Sequence, residues 1–409
     1  MSSVFKLNNT VKYYEWGSPE WIPRLLGLPN REGKPWAELW MGAHPQGPSA
    51  LADPAAPRLL PELIGQDPPR YLGEETARDF GGLPFLFKVL AAERPLSIQA
   101  HPNLAQARSG WERENSLGVP VDAPRRNYRD PNHKPEIICA LSPFTAMAGF
   151  REPGEIRSLL RLFGCPALDP LLDALDAPPG NADGALQRFL SALFSLSPER
   201  RLALGAHARG FLRDKPPGDY AGEWNLAARF AELYPEDPAL IAPLYLNLIT
   251  LQSGEAMNIP AGILHAYVRG FGVELMANSD NVLRGGLTPK HVDSEELTAI
   301  LRFAPYKPEI LKPAAVGALE SYPSPFREFS LYRLRGRGAA VPFPLRGPAI
   351  LLILEGELAV PAEKLLLKRG ESAFVVPETL PVLSGGYEAA VAAVGAAYSA
   401  PLDATPAGR

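Results

Sequence analysis

The feature that most limits how this chain can fold is a change of period along it. From about 152 to 238 the apolar residues recur at helical spacing, whereas on both sides they come in short runs broken by Pro, Gly and Asn. Ile156, Leu159, Leu160 and Phe163 stand at i, i+3, i+4 and i+7, and Gly164 follows as a C-terminal stop. Leu186, Phe189, Leu190, Leu193 and Phe194 repeat the stripe. Ser197-Pro198-Glu199 reads as an N-cap with proline in the first turn, and a further helix is predicted over 223–233. Helices bracketed by strand-like sequence are an insertion into a β unit, and their predicted role is packing and covering.

Short strands are expected at 11–16, 37–41 and 85–90 before the insertion, and at 244–251 and 256–259 after it. Pro260-Ala261-Gly262 then forms a turn that delivers His265, and 294–303 reads as a helix capped by Ser294. A proline-rich connection over 306–322 marks a boundary. Beyond it, runs at 328–334, 349–355, 357–360 and 372–376 are separated by Gly356, Gly370 and Pro377, the texture of a second, sandwich or jelly-roll β module. That module carries no histidine in its β-Gly-β segments, so its predicted role is structural. The expected fold is mainly β: two related β modules, the first interrupted by helices.

The 45 prolines and 36 glycines never form a low-complexity tract, so they read as turns rather than disorder. A net charge of -4 gives no overall attraction to nucleic acid or to an anionic membrane, and neither is an expected partner. No stretch approaches a transmembrane span, the N-terminus lacks a basic start and an apolar core, and Cys139 and Cys165 form no C-x-x-C pair. The expected location is the cytoplasm, with both thiols buried and reduced.

Within the apolar-flanked run 95–103, Gln99 and His101 are two residues apart, which on a strand puts both side chains on one face. Two other polar stretches have the same character: Asn132-His133-Lys134-Pro135-Glu136, and the turn that leads to His265 and Tyr267. Two imidazoles, a carboxylate and an amide oxygen suit a borderline divalent cation such as Zn²⁺ with positions left for substrate. Spacing alone leaves open whether Glu136 or His133 supplies the third ligand. Lys88 interrupts the otherwise apolar run Phe85-Leu86-Phe87-Lys88-Val89-Leu90, and Trp16 is a candidate aromatic wall, while Trp36 and Trp40 read as core.

In these motifs the chain resembles the type I phosphomannose isomerases of the cupin superfamily. The matching stretches are Tyr14-Glu15-Trp16-Gly17, 37–45, 95–103, 132–136, 260–267 and 279–290, in the family's order. The resemblance implies two cupin-type jelly-roll modules with a helical insertion: 1–151 and 241–320 as the catalytic module, 152–240 as the insertion and 321–409 as the C-terminal β domain. It implies one zinc per chain on Gln99, His101, Glu136 and His265, interconversion of mannose 6-phosphate and fructose 6-phosphate, and a monomer. It places Arg284 at the reacting carbons and Trp16, Glu38, Lys88, Lys134, Tyr267, Asp280 and Lys290 around the pocket. The Gly285 that follows Arg284 stands where an alanine is common in the family.

The chemistry explains the residue types. An enediolate oxygen needs a Lewis acid or a cationic donor in a dry site, and the always-charged guanidinium of Arg284 fits stabiliser better than base. Glu136, Asp280, Lys134 or a metal-bound water are the candidate bases. Lys88, Lys134, Lys290 and Arg284 are available to the phosphate, Ser97 adds a hydroxyl, and Asp280 is expected to hold the guanidinium of Arg284, which is itself expected in a loop after the strand-like 272–276. A non-catalytic sugar-phosphate binder on the same pocket is the rival reading.

Overall fold

The structure is a computed structural model that describes residues 2–52, 58–176, 182–214 and 218–396. Its strands form two antiparallel sheets, and one long strand, His265–Ala277, organises the first of them. The first half of that strand pairs with Ile98–Ala100 and Phe144–Phe150; the second half pairs with Phe85–Ala92 and Glu136–Ala140. Between the halves the register shifts at Tyr267 to Arg269, and Gly270 takes φ 145°, where a Cβ would meet the Phe144 ring at 2.5 Å. The strand therefore bends there and wraps the sheet around an interior.

The helical stretch enters after Phe144–Phe150 and leaves into Leu246–Leu251, two strands that pair with each other. It thus stands where a hairpin turn would be, as the change of period predicts. Its helices Pro153–Phe163, Ala182–Phe194, Pro198–Asp214 and Ala221–Leu233 bury Leu160, Phe189 and Phe230 against Ile98, Ala100, Leu264 and Leu283. The insertion consequently backs the strands that carry Gln99, His265 and Arg284.

Phe85–Ala92 is buried at every position because both of its faces are covered. Phe85, Phe87, Val89 and Ala91 pack outward against Ile350, Leu352, Phe374 and Ala392 of the second sheet, while Leu90 joins the interior cluster with Ile138 and Tyr267. Each of the Phe, Val, Leu and Ile side chains among them contributes roughly 1.5–3 kcal/mol. Lys88, of the same parity as Leu90, points into the interior, where solvent arrives only through a cleft.

The second sheet runs Ala314–Val316, Leu319–Ser321, Ser330–Pro342, Val382–Ala393, Ala349–Val360, Ser372–Val375, Val4–Asn8, Ala50–Leu51, with Leu365–Lys368 beside Ala349–Val360. Several expectations are corrected here. The strand expected over 11–16 ends at Lys12, because the chain turns at Tyr14 to Gly17 through a 2.9 Å backbone bond. The strand expected from 244 begins at Leu246, after the short helix Ala242–Tyr245. The connection over 306–322 contributes two strands to the second sheet. The helix Ser294–Ile300 is capped by Asp293, whose carboxylate accepts the Glu296 N–H at 3.0 Å, and it stops short of Phe303. Short helices at Leu60–Gln66, Pro68–Leu72 and Glu74–Phe80, and the longer Leu104–Ser116, had no extended apolar stripe to announce them.

The runs at 349–355 and 357–360 are one strand, Ala349–Val360, that passes through Gly356 at φ 74°. A Cβ on Gly356 would lie 2.0 Å from the Gly386 carbonyl oxygen. The left-handed backbone alone costs a non-glycine residue about 1–2 kcal/mol, and the clash adds to it. Gly356→Ala is therefore expected to lower the melting temperature by several degrees with no change in the metal content of the folded protein. Calorimetry with elemental analysis checks both.

Candidate active site

Strand register assembles the site. Gln99 lies directly opposite His265 on one neighbouring strand and opposite Arg284 on the other, so the three side chains share a face, and His101 follows two residues later. Arg284 is thus on a strand, Leu283–Gly286, and not in the loop that the sequence suggests. Glu136 opens Glu136–Ala140 and is paired with Met276 and Ile259.

His101, Glu136 and His265 are each 1% exposed, and their ligand atoms lie within 4.8 Å of one another. The two Nδ1 atoms are engaged by main-chain carbonyls, His101 with Asn281 at 2.7 Å and His265 with Ile263 at 2.9 Å. Each neutral ring therefore donates through Nδ1 and turns an Nε2 lone pair inward. Those Nε2 atoms stand 3.4 and 3.3 Å from the Glu136 carboxylate oxygens, and both Nε2 atoms and Glu136 Oε2 are buried without a hydrogen-bond partner. Lone pairs facing lone pairs in a dry site need a cation between them, and this donor set fits zinc. Burial, and then Lys134, push His101 down to about 4. Burial works to raise Glu136, but Lys134 and the imidazoles hold it well below the usual carboxylate range.

His133, the alternative to Glu136, lies outside this cluster, its Nε2 2.8 Å from Glu328 of the C-terminal region. His44 is buried but faces Asp280 at 3.6 Å, and His207 meets the Phe163 carbonyl at 2.7 Å within the helices.

A cleft of about 1130 Å³ opens above the cluster, lined by Gln99, Glu136 and every other expected pocket residue: Trp16, Glu38, Lys88, Ser97, Lys134, Tyr267, Asp280, Arg284 and Lys290. Not all of these have the partners expected. Lys88 is 2.9 Å from Glu274 and 3.5 Å from Glu38, and Trp40 Nε1 donates to Glu38 at 2.8 Å. Burial opposes the Lys88 charge, but Glu274 and Glu38 raise its pKa, while burial raises Glu274. Burial, then Glu274, also push the Tyr267 hydroxyl well up. Lys134 stands 3.1 Å from Glu136. Two of the four cations considered for the phosphate are therefore already matched to carboxylates.

Asp280 does not hold Arg284. Its carboxylate accepts from Gln46 Nε2 at 2.7 Å and faces His44, and among the described residues Arg284 has no carboxylate within ion-pair distance. Burial, then Arg129, lower the Arg284 pKa; burial, then Arg284 and Arg129, lower that of Lys290. Arg129 also lines the cleft, with its backbone N–H tied to Asn281 Oδ1 at 2.7 Å. Among the described residues Arg129, Arg284 and Lys290 thus form a cationic end in which no cation is ion-paired to a carboxylate. Glu274 and Arg129 were not singled out in the sequence. Glu274 has the signal that exposes Lys88, a charge within an apolar strand, whereas Arg129 has none.

The arrangement predicts that His265→Ala loses the metal while His44→Ala and His207→Ala keep it. Elemental analysis of the three purified variants decides this.

Residues 4–153 match the family description "Phosphomannose isomerase type I, catalytic domain". The chain is 40% identical over 391 residues to mannose-6-phosphate isomerase of Escherichia coli, covering 93% of this chain and 97% of that protein. Against the enzyme of the same name from Homo sapiens it is 34% identical over 385 residues, 86% of this chain and 88% of the other. A solved zinc-bound mannose 6-phosphate isomerase superposes with a TM-score of 0.85 at 38% identity, covering 96% of this chain and all of the other. A single-substitution variant of phosphomannose isomerase from Salmonella typhimurium superposes with a TM-score of 0.86 at the same identity and coverage.

Proposed function

The chain belongs to the type I phosphomannose isomerases, and from that premise we infer how its own residues share the interconversion of mannose 6-phosphate and fructose 6-phosphate. The observation that carries the inference is a single cleft with buried, mutually facing ligand atoms at its floor and, one paired strand away, a guanidinium without a carboxylate. The cofactor is zinc, one per chain, which we assign to His101, Glu136, His265 and Gln99. When bound it supplies a Lewis acid for the oxygen on which negative charge develops.

Isomerisation moves one proton between C2 and C1 and one between the attached oxygens, through an enediolate. Arg284 donates to the enediolate from a site where its charge is unspent on the protein. Lys134, beside Glu136, donates to the second oxygen. Asp280, steadied by Gln46 and open to the cleft, carries the carbon-bound proton. Trp16, Glu38, Lys88, Ser97 and Tyr267 orient the sugar, with Lys88 held in place by Glu274. Lys290 and Arg129 receive the phosphate.

We assign 1–151 and 241–320 to the catalytic unit, 152–240 to the inserted helices and 321–409 to a structural β unit. Val4–Asn8, Ala50–Leu51, Ala314–Val316 and Leu319–Ser321 pair into the sheet of that last unit. Among the described residues none beyond Lys290 lines the cleft, and no helix is long and apolar enough to cross a membrane. We propose a monomer working in the cytoplasm; both cysteines are buried and unpaired, as suits a reducing compartment.

Stripping the metal should abolish isomerisation of mannose 6-phosphate, and Zn²⁺ should restore it; full activity in a metal-free preparation would refute the assignment. Arg284→Ala should lower kcat by about 10² to 10³ with little change in KM, since its benefit is larger in the transition state. Lys290→Ala and Arg129→Ala should mainly raise KM. Steady-state kinetics with zinc content checked separates the roles, and an Arg284→Ala defect in KM alone would make that residue a phosphate clamp.

A further inference from the structure

We propose that Asp237, at the exit of the helical insertion, is a positioning residue that fixes the loop bearing Lys290 and thereby sets the affinity of the phosphate end of the cleft. The role rests on the isomerase reading above. Its carboxylate bridges two separate parts of the chain. Oδ1 accepts the Ala239 N–H at 2.9 Å and caps the short 3-10 turn Pro238–Ile241, while Oδ2 accepts the Leu287 N–H at 2.6 Å. Burial raises the Asp237 carboxyl, and the amide donors of Ala239, Leu287 and Thr288 pull the other way.

The loop requires such an anchor. Leu287 sits at φ 53°, a left-handed conformation that is strained for a leucine and persists only where the surroundings over-determine it. Gly286, at φ 131°, presses so closely on the inserted turn that a Cβ would meet Ala239 Cβ at 2.3 Å and Asp237 Oδ1 at 2.9 Å. Directly after Leu287 the loop runs through Thr288 and Pro289 to Lys290, three residues on, whose N–H donates to Thr288 Oγ1 at 3.1 Å. The strand before the loop carries Arg284. The turn that places the phosphate cations thus starts on a carboxylate supplied by the insertion.

The sign of the effect separates this role from a simple charge effect. Asp237 also lines the cleft, so a carboxylate acting only through its charge would repel phosphate, and removing it would tighten binding. Positioning demands the opposite. Asp237→Asn keeps the shape and one acceptor; Asp237→Ser keeps a cap for Ala239 but is too short to reach Leu287, which protects folding. Both are measured by steady-state kinetics with mannose 6-phosphate, by competitive inhibition with inorganic phosphate, and by zinc content. The expected result is a rise of about 5–10-fold in KM and in the phosphate inhibition constant together, with kcat within about 3-fold and zinc unchanged. Unchanged or lowered values of both constants in Asp237→Ser overturn the proposal, as does a loss of kcat and zinc at constant KM. A wild-type protein without isomerase activity overturns the function reading as well; an active, phosphate-inhibited wild type beside an unaltered Asp237→Ser removes the positioning role alone.

Discussion

Gln99 is paired on both sides, with His265 on one neighbour and Arg284 on the other, and the site depends on that register. A slip of one residue in either pairing would turn Arg284 or His265 to the opposite face. The register is pinned from behind. Ile98, Ala100, Leu264 and Leu283 alternate with the polar residues and bury themselves in the insertion's core. A bulge between Arg284 and Gly286 lets the strand leave its neighbour there, and Gly285 fits a gap where a Cβ would stand 3.1 Å from Leu297 and 3.4 Å from Ile98. The inserted helices therefore do more than cover the β unit: their apolar stripe fixes which face of three strands looks into the cleft.

The same two-faced burial explains the charges. With one face of Phe85–Ala92 and of the second half of His265–Ala277 sealed by the second sheet, a polar residue on the other face must be matched within the protein or through the cleft. Lys88 is matched by Glu274 and Glu38, and Lys134 by Glu136. Lys88 and Glu274 are directly opposite each other in the strand pairing, and Trp40 lies opposite Lys88 on the other side, its indole N–H donating to Glu38. A row of side chains across three strands thus orients one ammonium group. Removing Glu274 would leave Lys88 with Glu38 alone, a breakage that costs about 3–5 kcal/mol at buried pairs.

What the sequence made legible follows from local periodicity. The i, i+2 spacing of Gln99 and His101, the turn before His265 and the helical stripe of the insertion all depend on a few adjacent residues; the structure has the turn and the stripe, while the strand Ile98–Ala100 holds Gln99 and ends one residue before His101. Whether His133 or Glu136 faces the cluster depended on where the strand begins, and it begins at Glu136, leaving His133 to reach Glu328. The contacts that escaped notice join distant segments: Asp237 with Leu287, Asn281 with both His101 and Arg129, and Val4–Asn8 with Ser372–Val375. No short-range pattern encodes these. Gly356 misled for a related reason, since a glycine that lets a strand pass a close backbone neighbour looks in sequence like one that ends it.

The two ends of the cleft differ in electrostatic character, and that difference orients the substrate. At the floor, Glu38, Glu274 and Glu136 face Lys88 and Lys134, so three carboxylates against two ammonium groups leave one formal negative charge for a divalent cation to offset. At the other end, Arg129, Arg284 and Lys290 repel one another, and the nearby Asp237 carboxylate is occupied by amide donors. A sugar phosphate entering the wrong way round would set its dianion beside Glu274 and Glu38 while the three cations stayed unpaired. With the divalent cation in place the floor carries one formal positive charge that its carboxylates already share, whereas Arg129, Arg284 and Lys290 offer three cations with no ion-paired carboxylate, so charge favours the pose that sets the dianion at the cationic end. Charge thus favours one orientation, and the hydroxyl contacts proposed for Glu38, Ser97 and Tyr267 would distinguish one sugar from another.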